Sequence, residues 1–238
     1  MSIPDAPGIL TRNQILAALP RQQYALLFSH LEPVHLPQSK ILYHLGDRIS
    51  HAFFIMSGMV SLLATTQEGF TTQISMVGNE GVVGIPAILR VNKAPYQIRV
   101  QIPGRAMRVR IDVLIKEFNR DGPLHDMMLR YVHALISQIS QSAACNRFHQ
   151  IDERLGRWLL ISHDRAMSDT LHLTHEALSH MLGATRPNVT AAANKLKEAG
   201  LIDYRRGNIK IIDRRGLEES ACECYRVVTE EIGCFRAA

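Results

Sequence analysis

Between Pro123 and His149 the chain carries no internal glycine or proline. A helix of ~26 residues is about 39 Å long at 1.5 Å per residue, longer than a small domain is wide. Met128, Val132, Leu135 and Ile139 follow a heptad-like spacing, continued by the polar Ser142, Asn146 and His149. Leu129, Ile136, Ala143 and Cys145 widen the apolar surface beyond one stripe. The helix therefore needs company on more than one face, one from its own chain and one from a second copy. Met128, Val132, Leu135, Ile139, Ser142 and Asn146 are the expected dimerisation residues. A long core helix of a monomer is the alternative.

This segment divides two textures. Upstream, residues 1–12 (with Pro4, Pro7 and Gly8) read as a loose tail, and 13–31 as two short helices interrupted at Pro20. From Pro33 to about Val113, short runs of β-formers alternate with glycine-containing or polar turns: KILYHL, AFFIM, MVSLLAT, TTQISMV, QIRVQI and AMRVRI. That pattern predicts a sandwich or barrel. Helical spacing resumes at Asp112–Asn119.

Downstream, Asp152–His163 places Leu155, Trp158, Leu159 and Ser162 on one side of a helix. Thr174–Leu182 reads as a second, ended by Gly183 at a position that favours a left-handed residue. Thr185 can cap a third, Arg186–Ala199, where Pro187 falls harmlessly in the first turn. LIDYRR and IKIID then flank a Gly207-Asn208 turn. Two short helices, a glycine turn and a basic hairpin fit a winged helix-turn-helix.

Charge follows the same division. The chain is only mildly basic at +5, but residues 183–215 hold eight cations against three anions, and 216–238 hold two against five. On the helix from Arg186, one face gathers Val189, Ala192, Ala193 and Leu196 for packing. Pro187, Thr190, Ala191, Asn194 and Glu198 point away, with Arg186 and Asn188 on the flanks. Such a helix enters a major groove N-terminus first, and its arginine can bond guanine O6 and N7 together. Thr174, Thr185 and helix-terminal amides can hold phosphate, as can Arg205, Arg206 and Lys210 of the hairpin. The expected DNA-binding set is Thr174, Thr185, Arg186, Pro187, Asn188, Thr190, Ala191, Asn194, Arg205, Arg206 and Lys210.

With these residues on the page, the chain resembles the Crp/Fnr family of bacterial transcription regulators from about residue 13 to 225. The resemblance rests on Leu36-Pro37 through Gly46-Asp47, Phe54–Gly58, Gly78-Asn79-Glu80-Gly81 with Val83-Gly84, and the ungapped run LTHEALSHMLGATRPNVTAAANKLKEAGLIDYRRGNIKIID. It implies an α+β fold: an N-terminal double-stranded β-helix (jelly-roll-like, cyclic-nucleotide-binding type), a long dimerisation helix and a C-terminal winged helix-turn-helix. The implied boundaries are 13–120, 121–150 and 151–238, with a hinge near Asp152. Its implied partners are double-stranded DNA, a second copy of the chain and, for an activator, RNA polymerase.

Two departures qualify the resemblance. Members that bind cyclic AMP hold the ribose with Gly-Glu and the phosphate with Arg-Ser. Here the first pair aligns with Gly84-Ile85 and the second falls near Pro95-Tyr96. Isoleucine accepts no hydrogen bond, and a phosphate without its arginine would enter unpaired. Cyclic AMP is therefore not the expected effector, and any effector site would involve Gly84, Ile85 and Tyr96. Known members also read bases with an Arg-Glu pair and a further arginine. Arg186 matches the first reader, while Pro187 and Ala191 replace the others.

Other chemistries find little support. His175 and His180 stand five apart, whereas two zinc ligands on one helix face stand four apart. His35, His44 and His51 are the histidines available for haem ligation, but they are isolated along the chain. The β-region lacks the HxH of metal-binding cupins, and no Ser-His-Asp set or phosphate-cradling loop stands out. Cys145 is expected to pack within the helix. The Cys222-x-Cys224 spacing suits neither a zinc ribbon nor a redox CxxC, although a redox role for the cysteines stays open. The four cysteines form no disulfide framework, no leader is visible, and no stretch approaches the ~18 apolar residues of a membrane span, so a cytoplasmic chain is expected. No cofactor, metal or enzymatic activity is expected. The rival reading is a small-molecule-binding or cupin-like enzyme domain with an incidental winged helix.

Overall fold

The computed structural model describes residues 12–166, 170–205 and 207–237. The expected tail therefore lies outside the described residues except for Arg12. Two short helices open the fold, α1 (Gln14–Ala18) and α2 (Arg21–Phe28), parted at Pro20 as the sequence requires. Asn13 caps α1 by accepting a hydrogen bond from Leu16 N–H. Its buried Nδ2 donates to the carbonyls of Ile55 at 2.9 Å and Gly81 at 2.8 Å, fastening the helix to the sheet.

The sheet follows: β1 (Glu32–Leu36), β2 (Ile41–Tyr43), β3 (His51–Thr65), β4 (Thr71–Val77), β5 (Val82–Val83) and, after the single turn α3 (Ile85–Ile88), β6 (Gln97–Arg110). The path runs β1-β6-β3-β4, with β2 paired to β6 and β5 to β3. Phe54, Ile55, Met59, Leu36, Val100 and Val109 are buried. Helix α4 (Ile111–Phe118) buries Leu114 and Phe118.

Here the strand count is corrected. AFFIM and MVSLLAT form one strand, β3, and QIRVQI and AMRVRI form one strand, β6. Gly58 and Gly104 are points of close backbone approach inside long strands rather than turns. A Cβ on Gly104 would lie 1.9 Å from the Ser57 carbonyl oxygen, and one on Gly58 would lie 2.6 Å from those of Ile102 and Pro103.

Helix α5 (Pro123–Phe148) spans the expected segment. Then come α6 (Ile151–Ala166), β7 (Thr170–His172), α7 (His175–Leu182), α8 (Arg186–Glu198), β8 (Ile202–Arg205), β9 (Asn208–Ile211), α9 (Arg214–Ser220) and α10 (Cys224–Ala237). The three-stranded sheet orders β7-β9-β8. Strand β7 has no periodic signal in the sequence. Arg205 pairs with Asn208, so Asn208 belongs to β9 and not to the turn that the Gly207-Asn208 reading gave it.

Two compact units result. Among the described residues, one holds 12–60, Val77–Ala134 and 234–237; the other holds Ser61–Met76 and 135–233. The second therefore includes the β3–β4 hairpin, which the sequence reading assigned wholly to the β-domain. Within it, Trp158 Nε1 donates to Gln73 Oε1 at 3.2 Å, and Gln138 Nε2 donates to Ser75 Oγ at 2.7 Å and to the Met76 carbonyl at 3.0 Å. Arg165 donates to Gln138 Oε1 at 3.2 Å, so the buried amide is satisfied at both ends.

Burial divides the expected dimer seam. Met128, Leu135 and Ser142 are buried within the chain itself. The seam reading is corrected for these three, because side chains that fill their own core offer no surface to a second copy. Val132 and Ile139 are half-buried and Asn146 is exposed. With the exposed Leu129, Ile136 and Ala143 they form an open stripe, 129, 132, 136, 139, 143 and 146, stepping by three and four.

Substituting Gly104→Ala forces its methyl group against the Ser57 carbonyl. Overpacking of this kind costs about 1–3 kcal/mol. Urea unfolding of the variant is expected to show a lowered midpoint with an unchanged slope; an unaltered midpoint would contradict the crossing.

Candidate nucleic-acid interface

Local signals build the interface. Thr174 stands in extended conformation before α7, and its Oγ1 accepts from Ala177 N–H at 3.1 Å. Gly183 ends the helix with φ 56°, a left-handed turn that lets Ala184 N–H bond back to the Ser179 carbonyl at 3.0 Å. Three residues later α8 begins.

The face of α8 expected to pack does so: Val189, Ala192, Ala193 and Leu196 are each at most 3% exposed. Leu155, Trp158 and Leu159 of α6 and Leu178, Met181 and Leu182 of α7 are also buried. With the apolar stripe committed inward, Arg186, Pro187, Asn188, Ala191 and Asn194 are all exposed. Thr185 occupies the N-cap position, but its hydroxyl makes no capping bond, contrary to the expected cap. An uncapped first turn leaves amide donors and the partial positive end of the helix facing outward.

Thr190 is placed differently from expectation. Half-buried, its hydroxyl donates to the Arg186 carbonyl at 3.0 Å and lies 2.9 Å from His175 Nδ1. Its hydrogen-bonding capacity is thus spent on holding α8 to α7. The Thr174 hydroxyl accepts the capping bond through its oxygen, which leaves its O–H to donate outward.

His175 is the residue sequence reasoning missed. Its spacing raises only the question of a metal ligand, whereas its ring stacks on Tyr204 of β8, centroids 4.2 Å apart and planes at 19°. With the contact to Thr190, this single side chain joins α7, α8 and the hairpin. A spacing argument could not find it, because its partners are 15 and 29 residues away in sequence. Glu176 and His180 are exposed.

The hairpin presents two faces. Ile202, Ile209 and Ile211 are buried; Arg205 and Lys210 are exposed. Asp203 lies 2.9 Å from Lys197 Nζ and 3.2 Å from Arg205 Nε. The Lys197 ammonium holds its carboxyl below the usual range. Lys195 pairs with Asp152 at the start of α6, tying the expected hinge residue to the far end of α8. Arg206 lies outside the described residues.

In the other unit, Gly84 (φ 110°) precedes α3, Ile85 is 5% exposed and Tyr96 is half-buried. An apolar side chain thus fills the position where the resemblance would put the ribose acceptor. Among the described residues, His35, His44 and His51 join no cluster of three metal-type side chains.

Burial, and then the charge of Arg186, hold the His175 imidazole below its ordinary pKa. The unfolded chain binds that proton more readily, so its contribution to stability is present above about pH 6.5 and is lost as pH falls below it. Thermal melts between pH 7.5 and 5.5 are expected to show a steeper acid loss for the wild type than for His175→Phe, which keeps the stacked ring. Parallel pH profiles would contradict this.

Comparison with known proteins agrees with this geometry. The pattern of the cyclic nucleotide-binding domain matches residues 33–121, and that of the Crp-like helix-turn-helix domain matches 153–220. The chain is 23% identical over 213 residues to the global nitrogen regulator of Nostoc sp., covering 85% of this chain and 95% of that protein. It is 22% identical over 221 residues to the CRP-like cAMP-activated global transcriptional regulator of Mycobacterium tuberculosis, covering 90% and 98%. The structure of FixK2 from Bradyrhizobium japonicum shares the fold with a TM-score of 0.69 at 14% identity, covering 81% of this chain and 98% of that one. Two domain patterns in the family's order, with a helix-turn-helix whose packing leaves an arginine exposed at its leading end, show that the chain belongs to the Crp/Fnr family of DNA-binding, non-enzymatic transcription regulators.

Proposed function

We propose that the chain regulates transcription as a homodimer on an inverted-repeat site, with Arg186 as the guanine reader of each half-site. The observation that carries this reading is the exposure of Arg186 at an uncapped helix N-terminus whose opposite face is buried. No acid follows on α8 until Glu198, so nothing along its leading turns repels the phosphates. Asn188 and Asn194 are the remaining polar readers. Pro187 and Ala191 contribute shape and apolar contact only. Phosphate anchoring falls to Thr174, Thr185, Arg205, Arg206 and Lys210.

The family is typically dimeric. The open stripe Leu129, Val132, Ile136, Ile139 and Ala143 supplies an apolar face at coiled-coil spacing for the second copy. Two recognition helices then reach successive major grooves about 34 Å apart.

The effector is a separate matter. One relative is named as a nitrogen regulator and another as cAMP-activated, so family membership leaves the ligand open. Buried, apolar Ile85 argues against cyclic AMP in the family's binding manner. An effector, where one acts, would favour the dimer arrangement that matches DNA spacing. An activating role would add RNA polymerase as a partner.

Arg186→Ala is expected to weaken specific binding by about 1–3 kcal/mol and to relax preference at one base pair per half-site. Selection of bound fragments from random DNA, repeated with the variant, checks both; an unchanged consensus would refute the assignment. Ile136→Asp places a charge in the open stripe. Sedimentation is expected to give a monomer, with affinity for the full inverted repeat reduced to that for a single half-site. A dimer of unchanged strength would exclude this face.

A further inference from the structure

One convergence of side chains has no part in reading DNA. Cys145 in the last turns of α5, His149 just after it, and Cys222 and Cys224 at the junction of α9 and α10 come together in the second unit. Their ligand atoms all lie within 4.8 Å of one another. Cys145 Sγ is 3.5 Å from Cys222 Sγ, and Cys224 Sγ is 3.4 Å from His149 Nδ1. The three cysteines are buried as a group. The sequence hid this set, because a CxC pair and a CxxxH pair sit more than 70 residues apart and neither has a familiar spacing alone.

Three features distinguish the cluster from thiols that merely fill space. The first is size. Four ligands at roughly 2.3 Å (sulfur) and 2.0 Å (nitrogen) from a tetrahedral ion stand roughly 3.5–3.8 Å from each other, the scale seen here. A disulfide would need its sulfurs at about 2.05 Å. A polynuclear cluster would hold the ligands further apart.

The second is the histidine. Nδ1 faces the cysteines while Nε2 lies 3.2 Å from a Glu223 carboxylate oxygen. A carboxylate accepting the outer N–H fixes the tautomer and turns the inner lone pair toward a metal, a support found behind metal-bound histidines generally.

The third is charge. Three thiolates and a neutral imidazole around a divalent ion leave one net negative charge, which burial would penalise. Arg154 and Arg157 of α6 are both buried, at 9% and 6% exposure, and their charges act on this cluster. Arg157 Nε finds no hydrogen-bond partner among the described residues. A buried cation is accounted for when an anion stands nearby.

We propose that Cys145, His149, Cys222 and Cys224 bind one four-coordinate, thiophilic divalent ion, zinc by its ligand chemistry, which fastens the helices after the hairpin to the end of α5. Soft thiolates with one imidazole are the donor set of a closed structural zinc site, with no position left for substrate.

The test is metal analysis of the full-length chain, purified reduced and without chelator; it requires no DNA and stands or falls apart from the DNA-binding reading. The expected result is one zinc per chain. Exchange for cobalt(II) should give the visible bands of a tetrahedral site and a thiolate charge-transfer band. Cys222→Ser should lose at least tenfold in zinc affinity. Exposed Glu223→Gln leaves the ligands intact and should bind zinc 10–100-fold more weakly, which keeps the test decisive if the cysteine variant fails to fold. Three results would each overturn the proposal: no zinc after reconstitution of the reduced chain, several irons per chain with broad iron–sulfur absorption, or zinc bound equally well by the wild type, Cys222→Ser and Glu223→Gln.

Discussion

The DNA-facing surface depends on one packing contact, the inward face of α8. Val189, Ala192, Ala193 and Leu196 are small or of moderate size and fully covered. Because they recur at three and four residues, they fix the rotation of the helix about its own axis. That rotation decides which side chains reach outward. A turn of one residue position, about 100°, would bury Arg186 or Asn188 and expose Leu196. The hydrophobic term that stabilises the domain also aims the arginine.

Around that contact the polar groups act as fasteners rather than readers. His175 stacks on Tyr204 and meets Thr190, which bonds back to the Arg186 carbonyl. Lys197 holds Asp203 of the hairpin, and Lys195 holds Asp152 at the start of α6. The cations toward the C-terminal end of α8 are therefore largely engaged inside the domain, while Arg186 and the hairpin's Lys210 are exposed. A count of positive charges along the sequence could not make that distinction. The same unit carries the β3–β4 hairpin on the Gln138, Arg165 and Trp158 hydrogen bonds. The helix-turn-helix and part of the N-terminal sheet thus share one compact body.

What the sequence revealed depended on whether the signal was local. The two short helices, the Gly183 turn, the position of Pro187 and the packing face of α8 follow from caps, φ preferences and periodicity within a few residues, and each was legible. Gly58 and Gly104 misled because a glycine permitting close approach looks the same as one in a turn. The long helix misled differently. It has two apolar stripes one residue out of phase, and no periodicity tells which one its own chain covers. Met128, Leu135 and Ser142 went inward, and Leu129, Ile136 and Ala143 stayed out. The His175 stack and the Cys145–Cys222 approach join residues distant in sequence, so only three dimensions reveal them. The exposure of Arg186, Asn188 and Asn194 was readable from the periodicity of α8, whereas the bond that Thr190 donates to the Arg186 carbonyl was not.

The central claim, that an arginine at the head of α8 meets guanine in each of two half-sites, is tested most directly by methylation interference. The DNA would be a fragment selected by the purified chain from a random pool. Methylation at guanine N7 removes the acceptor and blocks the groove edge that a guanidinium bonds. Interference at one symmetry-related guanine in each half-site, about one helical turn apart, is the expected pattern. Strong binding that no guanine methylation disturbs would contradict it.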